Sequence, residues 1–170
     1  ENVLIDAKRI TSATSLPLLV DIDTGWGDFD AISNTIIEMG NANVAAVHIE
    51  DQIFDKRCGH RPNKQLVSID EMQDRLKAAL DAKIDDSFFI MARTDALASE
   101  GIEKAIERCG KYLDVGADGI FFEAAVSIEE YKEFKKHFSA PLLANITEFG
   151  KTPLFTQKEL SDVGVDMVLY

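Results

Sequence analysis

Residues 49–64, IEDQIFDKRCGHRPNK, gather acids, cations, a cysteine and a histidine into a stretch with neither helical nor strand periodicity. Cys58 follows Lys56 and Arg57 and precedes His60. Positive neighbours stabilise a thiolate and so prepare Cys58 for proton transfer or nucleophilic attack. A lone cysteine is ordinarily a small core hydrophobe, but Lys56, Arg57, Arg61 and Lys64 around a glycine-containing loop favour chemistry here. Cys109, inside the helical pattern GIEKAIERCGKYLDVGA, reads as packing. His60 suits a hydrogen bond to a carboxylate, with a metal-ligand role as the alternative. His48 lies within a strand pattern, where structural and functional roles are equally open, and His137 in EYKEFKKHFS reads as a surface residue.

A second group of polar residues falls where apolar runs end: Asp21 and Asp23, then His48, Glu50 and Asp51, then Arg93 and Asp95, Glu123, and Asn145 and Thr147. The i, i+2 spacing within Asp21/Asp23, Arg93/Asp95 and Asn145/Thr147 puts each pair on one side of a strand. One such pair could cap the next helix; the whole set, gathered at one end of a fold, points to a site. Asp21, Asp23 and Glu50 are hard oxygen donors, which suit Mg²⁺ or Mn²⁺ rather than zinc.

These residues need elements to position them. Runs beginning at Pro17, Val44, Phe88, Asp118, Pro141 and Val165 are rich in branched and apolar residues and read as buried parallel strands. Helical patterns lie between them, and Ser68/Glu71, Ser127/Glu130 and Thr156/Glu159 match the capping box. Strand–helix repetition of this length implies right-handed crossovers, hence a (β/α)8 barrel or an open doubly wound sheet. The unit from Val44 to Phe88 is the longest, and its excess falls on residues 49–64. In such folds an overlong loop after a strand's C-terminal end is a candidate lid.

Composition narrows the function classes. With 170 residues, 46% of them hydrophobic and 28% charged, the chain can bury a core as one domain. A net charge of −12 argues against nucleic acid and anionic lipid as partners, so a bound anion needs a local cationic pocket or a metal. No apolar run reaches the roughly 18 to 20 residues of a bilayer span, and residues 1–16 lack the pattern of a signal peptide. Two cysteines, Cys58 and Cys109, make no disulfide framework and suggest a reducing, cytoplasmic setting.

The motifs VDIDTGWG, HIEDQ, KRCGHRPNK, MARTDA, FEA and LANITEFGKTPLFT, in that order, resemble the isocitrate lyase and phosphoenolpyruvate mutase superfamily. RPNK and ANITEFGKTPLFT are similar to its methylisocitrate lyase branch in particular. The resemblance covers nearly the whole chain. It implies a TIM-type (β/α)8 barrel of which residues 1–170 hold six βα units, the first two strands and the final helices lying outside them. It further implies a Mg²⁺-dependent carbon–carbon lyase that cleaves a tricarboxylate, 2-methylisocitrate, to pyruvate and succinate in propionate breakdown, working as a homotetramer.

By the same resemblance Asp21 and Asp23 hold the metal with Glu50 in its shell, and Cys58 protonates the succinate-side carbon. Arg93 grips a substrate carboxylate. Lys56, Arg57, Gly59 and His60 belong to a closing loop, with Lys56 and His60 assisting catalysis, and Glu123, Asn145 and Thr147 border the substrate. Isocitrate lyase and oxaloacetate decarboxylase of the same superfamily are the neighbouring alternatives, and a non-catalytic scaffold is the alternative from another class. The chain departs from the pattern at Phe122, where a proline commonly precedes the glutamate, at Asp55 before the lysine, and in the glycine-poor GNANVAAVHIE. None of these removes a catalytic group.

Overall fold

The computed structural model describes residues 2–59, 61 and 63–170. Each apolar run forms a strand: β1 (Leu19–Asp21), β2 (Ala46–Glu50), β3 (Phe89–Thr94), β4 (Gly119–Phe122), β5 (Leu142–Asn145) and β6 (Met167–Leu169). All five pairings are parallel and follow chain order from β1 to β6. A doubly wound sheet would reverse its strand order, so the topology is that of consecutive units of a TIM-type fold.

Helices α1 (Asn2–Ala13), α2 (Phe29–Asn41), α3 (Ile69–Asp81), α4 (Leu97–Glu100), α5 (Ile102–Val115), α6 (Ile128–His137) and α7 (Gln157–Asp162) complete the described elements. The short α4 had no sequence signature of its own; Gly101, at φ +85°, turns the chain between it and α5. The expected caps form with one difference. Thr156 and Glu159 satisfy each other's backbone N–H groups, and Glu130 Oε2 accepts from the N–H of Ser127 and of Val126. At Ser68 only the hydroxyl half is made, because the Glu71 carboxylate turns to Arg75 at 2.8 Å.

Alternation along the strands sorts the core into two layers. Ile22, Val47, Ile49, Ile90, Ala92, Ile120, Phe122, Leu142 and Ala144 face the helices, joining Ile32, Ile36, Met39, Met72, Leu76, Tyr112 and Phe134 in the main core. Burying each such aliphatic or aromatic side chain is worth about 1.5–3 kcal/mol, which is what holds helices to sheet. The opposite face carries a small apolar cluster of Met91, Phe121 and Leu143, flanked by Leu19, Phe89 and Met167. Polar residues appear on that inner face only as the strands approach their C-terminal ends.

Candidate active site

The strand register stacks the inner-face residues. Asp21 lies opposite His48, His48 opposite Met91, Glu50 opposite Arg93, Arg93 opposite Phe121, and Asn145 opposite Leu169. Asp21, His48, Glu50, Arg93 and Asn145 therefore share one face above the apolar cluster, with Glu123 next beyond β4. Arg93 is the hub. Its Nε lies 3.0 Å from Asp95 Oδ2 and 3.3 Å from Glu50 Oε2, its Nη2 3.7 Å from Glu123 Oε1, and its guanidinium carbon 4.9 Å from the Phe121 ring centroid. Asn145 Nδ2 donates to Glu123 Oε2 at 3.4 Å, and Thr147 Oγ1 donates to Asn145 Oδ1 at 2.9 Å.

The three proposed metal donors sit together at the β1–β2 end. The Asp23 N–H donates to Asp21 Oδ1 at 2.8 Å, and Trp26 Nε1 donates to Asp23 Oδ2 at 2.8 Å. Asp23 is in the left-handed region at φ 52°, a turn that brings its carboxylate back over the strand ends. Glu50 is fully buried and neither of its oxygens has a hydrogen-bond partner among the described residues. Burial pushes its pKa up to about 7, against the pull of Arg93 and Lys56. The Lys56 ammonium pairs with Asp23 Oδ1 and lies 3.7 Å from Glu50 Oε1. Burial would raise the Asp23 pKa, but the bonds from Lys56 and Trp26 outweigh it and hold the carboxyl below its usual range.

The residues present fit a hard divalent cation. Among the described residues no three His, Cys, Asp or Glu side chains converge closely enough to form a ready metal cage. Mg²⁺ needs only one or two carboxylates and keeps its waters. The orphaned oxygens of Glu50, and the gap between Glu50 and Asp23 that already attracts an ammonium, are what such an ion would use. Among the described residues the pocket's acids, Asp21, Asp23, Glu50, Asp95 and Glu123, also outnumber its cations, Lys56, Lys64 and Arg93. A polyanionic ligand entering it therefore needs an added positive charge.

His48 is buried between Asp21, whose Oδ1 is 3.5 Å from Nδ1, and the Phe121 ring, in an edge contact at 4.9 Å. Burial lowers its pKa to about 4 despite Asp21, so the imidazole is neutral near pH 7.

The segment after β2 closes on itself. Gln52 bridges to Leu66, the Ile53 N–H donates to Gln65 O at 3.0 Å, and the Gln52 side chain both donates to and accepts from the Arg57 backbone. Its ends, residues 52–53 and 65–66, therefore adjoin. Arg57 is held by its backbone, Cys58 is an exposed free thiol, and Gly59 is buried against the strand-end residues. A Cβ on Gly59 would collide with Glu123 Oε1 and lie 2.6 Å from Arg93 Nη2, so only glycine lets the backbone rest there. His60 lies outside the described residues.

The structure thus brings Asp21, Asp23, Glu50, Lys56, Gly59, Arg93, Glu123, Asn145 and Thr147 to one end of the sheet, with Cys58 at the rim. It also shows roles that the spacing did not assign. Asp51 is buried behind the site and accepts from Thr94 Oγ1 at 2.7 Å, the Asp95 N–H at 2.9 Å and the Tyr112 hydroxyl at 2.9 Å, with Arg108 Nη1 3.7 Å away. Lys64 reaches in from the far end of the loop to Asp95. Nothing in a linear pattern announces Tyr112 or Arg108, which lie on α5 and meet Asp51 only in the fold.

A family profile for phosphoenolpyruvate phosphomutase matches residues 1–170. The chain belongs to this family. Among curated members it is 60% identical over 99% of its length to the 2-methylisocitrate lyase of Shewanella oneidensis, and 53% identical over its full length to that of Escherichia coli. It spans 58% of the length of each of these relatives. A solved structure of 2,3-dimethylmalate lyase superposes with a TM-score of 0.95 at 34% identity, covering 99% of this chain and 57% of that one. Oxaloacetate acetylhydrolase in complex with 3,3-difluorooxalacetate superposes at 0.94 and 36% identity, covering 99% and 58%. The superfamily resemblance read from KRCGH and its companion motifs is borne out, and the family's fold is the one observed.

Proposed function

We propose that the protein carrying this chain cleaves 2-methylisocitrate to pyruvate and succinate, as a Mg²⁺-dependent cytoplasmic homotetramer serving propionate breakdown. The observation that carries this reading is the identity of 52–60% to several 2-methylisocitrate lyases, in matches that cover nearly the whole chain and so include every strand end of the site. The orphaned Glu50 oxygens and the ammonium between Glu50 and Asp23 support a cation there.

Asp21, Asp23 and Glu50 would hold Mg²⁺, which supplies charge stabilisation to the hydroxy-acid half that becomes pyruvate. Lys56, now turned to Asp23 and Glu50, would exchange those acids for substrate carboxylates, and Arg93 would orient another. A base removes the hydroxyl proton as the carbon–carbon bond breaks, forming the pyruvate carbonyl. The bonding pair passes to the succinate-side carbon, and the Cys58 thiol donates a proton to that carbon, leaving a thiolate. Arg57 and Gly59 carry the loop that places this thiol, and Glu123, Asn145 and Thr147 form a hydrogen-bonded wall beside it. Seating of the loop keeps water from the carbanion.

The test is kcat/KM for 2-methylisocitrate against isocitrate in the full protein. One buried methyl is worth about 1–3 kcal/mol, so a preference of roughly 10- to 200-fold for the methylated substrate is expected. Equal values, or a preference for isocitrate, would reject the assignment.

A further inference from the structure

Lys64 closes the loop region yet belongs to none of the roles above. Its side chain is 2% exposed and its partner Asp95 is fully buried, in a chain whose other lysines lie further towards solvent. Among the described residues the ammonium makes two contacts: Nζ donates to Asp95 Oδ1 at 2.9 Å and to the Gly59 carbonyl at 2.7 Å. Asp95 in turn accepts from Arg93 Nε at 3.0 Å, and its own N–H is fixed by Asp51. One carboxylate thus ties the central arginine of the site to the lysine that holds the backbone next to Cys58.

We propose that Lys64 is the positioning residue of this loop, a latch that seats Gly59 on the Arg93–Glu123 pair and so fixes where the Cys58 thiol stands. Three observations carry it. Gly59 is buried although Lys56, Arg57 and Cys58 before it and Arg61 after it are exposed, so the chain is drawn inward at Gly59. The seat admits no side chain at Gly59, which makes the approach of backbone to Arg93 and Glu123 close. The hydrogen bond from Lys64 is made to a carbonyl rather than to a side chain, so it constrains the path of the chain itself. Desolvating an ammonium is costly, and Lys64 is compensated by an ionised partner and a carbonyl together.

The proposal rests on the reading of Cys58 as a proton donor, but its structural half is testable without any substrate. Lys64→Met should raise amide exchange and proteolytic nicking across residues 53–61 at least tenfold. The strand amides should stay protected, since Asp95 keeps Arg93. In turnover, kcat should fall about 100-fold, as expected for a catalytic group misplaced by about 1 Å, with KM changed less than about threefold. Lys64→Arg keeps the charge on Asp95 with a differently shaped head, and should recover stability without full kcat. In an Asp95→Asn background, Lys64→Met should cost less than in the parent. Should Lys64→Met not fold, the arginine variant and the Asp95→Asn background supply the same comparison. A loop as protected in the variants as in the parent overturns the latch. A loosened loop with unchanged kcat overturns its positioning role. A parent protein inactive on 2-methylisocitrate rejects the functional reading alone, while the exchange result stands.

Discussion

Cys58 and Asp23 illustrate two ways a side chain is made reactive. Asp23 is held by neighbours: Trp26, Lys56 and a left-handed backbone fix its carboxylate before any ligand arrives. Cys58 is held by its chain, through the Gln52–Arg57 pair on one side and Gly59 on the other, while the thiol itself is exposed. Substitution should separate the two. Asp23→Ala should remove Mg²⁺-dependent turnover and weaken Mn²⁺ binding, measured by electron paramagnetic resonance, at least tenfold. The melting temperature should stay close to the parent's, because the side chain faces the mouth of the site and not the core. Unchanged Mn²⁺ affinity would take Asp23 out of the metal site. Cys58→Ser should keep product binding but lose two or more orders of magnitude in single-turnover cleavage, since a hydroxyl is a far weaker acid than a thiol. Near-parental turnover would show that another group donates the proton.

Between residues and the whole lie the strand ends, where β2, β3 and α5 are fastened by Asp51. Asp51→Ala would take the acceptor from three buried donors, the Tyr112 hydroxyl, the Thr94 hydroxyl and the Asp95 N–H, and a broken buried network of this kind costs about 3–5 kcal/mol. Urea unfolding should show that loss, and a change below about 1 kcal/mol would mean the network relaxes around the gap. The strands themselves were legible in the sequence, because runs such as FFIMART and DGIFFEA are apolar on both faces and are bounded by turn and cap residues. The i, i+2 polar pairs at their ends were legible for the same reason, the strict alternation of a strand. The Ser68 cap was read only in part, since Glu71 has a competing partner in Arg75, one turn along the same helix. Asp51 and Lys64 were noticed as a strand-end acid and a loop cation, but what they hold was beyond reach. Their roles depend on which residue lies across a loop or behind a sheet, and the RPNK motif says that a lysine is present without saying that it bends back to the Gly59 carbonyl.

At the scale of the whole molecule the chain combines a net charge of −12 with a site that buries Lys64 and Arg93, and among the described residues no helix is long and apolar enough to cross a membrane. Its fully buried tyrosines add a pH dependence that the carboxylates do not. Burial pushes the phenols of Tyr112 and Tyr131 well above the ordinary value near 10; the charge of Asp51 adds to the effect at Tyr112, as that of Glu123 does at Tyr131. A group whose folded pKa is raised keeps its proton in the native state after the unfolded chain has lost it. Above pH 10 the unfolded state therefore binds fewer protons, and stability falls as pH rises, by up to about 1.4 kcal/mol per pH unit for each tyrosine. Self-repulsion of an acidic chain also grows on the alkaline side. Tyr131→Phe separates the two contributions, because it removes one titrating group without changing the net charge at pH 8. The Tyr131 hydroxyl is buried with no hydrogen-bond partner among the described residues. Its loss should leave stability at pH 8 equal or higher by about 1 kcal/mol. Urea midpoints followed from pH 8 to pH 11 should then fall less steeply for Tyr131→Phe than for the parent. Parallel curves would assign the alkaline decline to repulsion alone, and a variant less stable than the parent at pH 8 would show that the hydroxyl has a partner in solution.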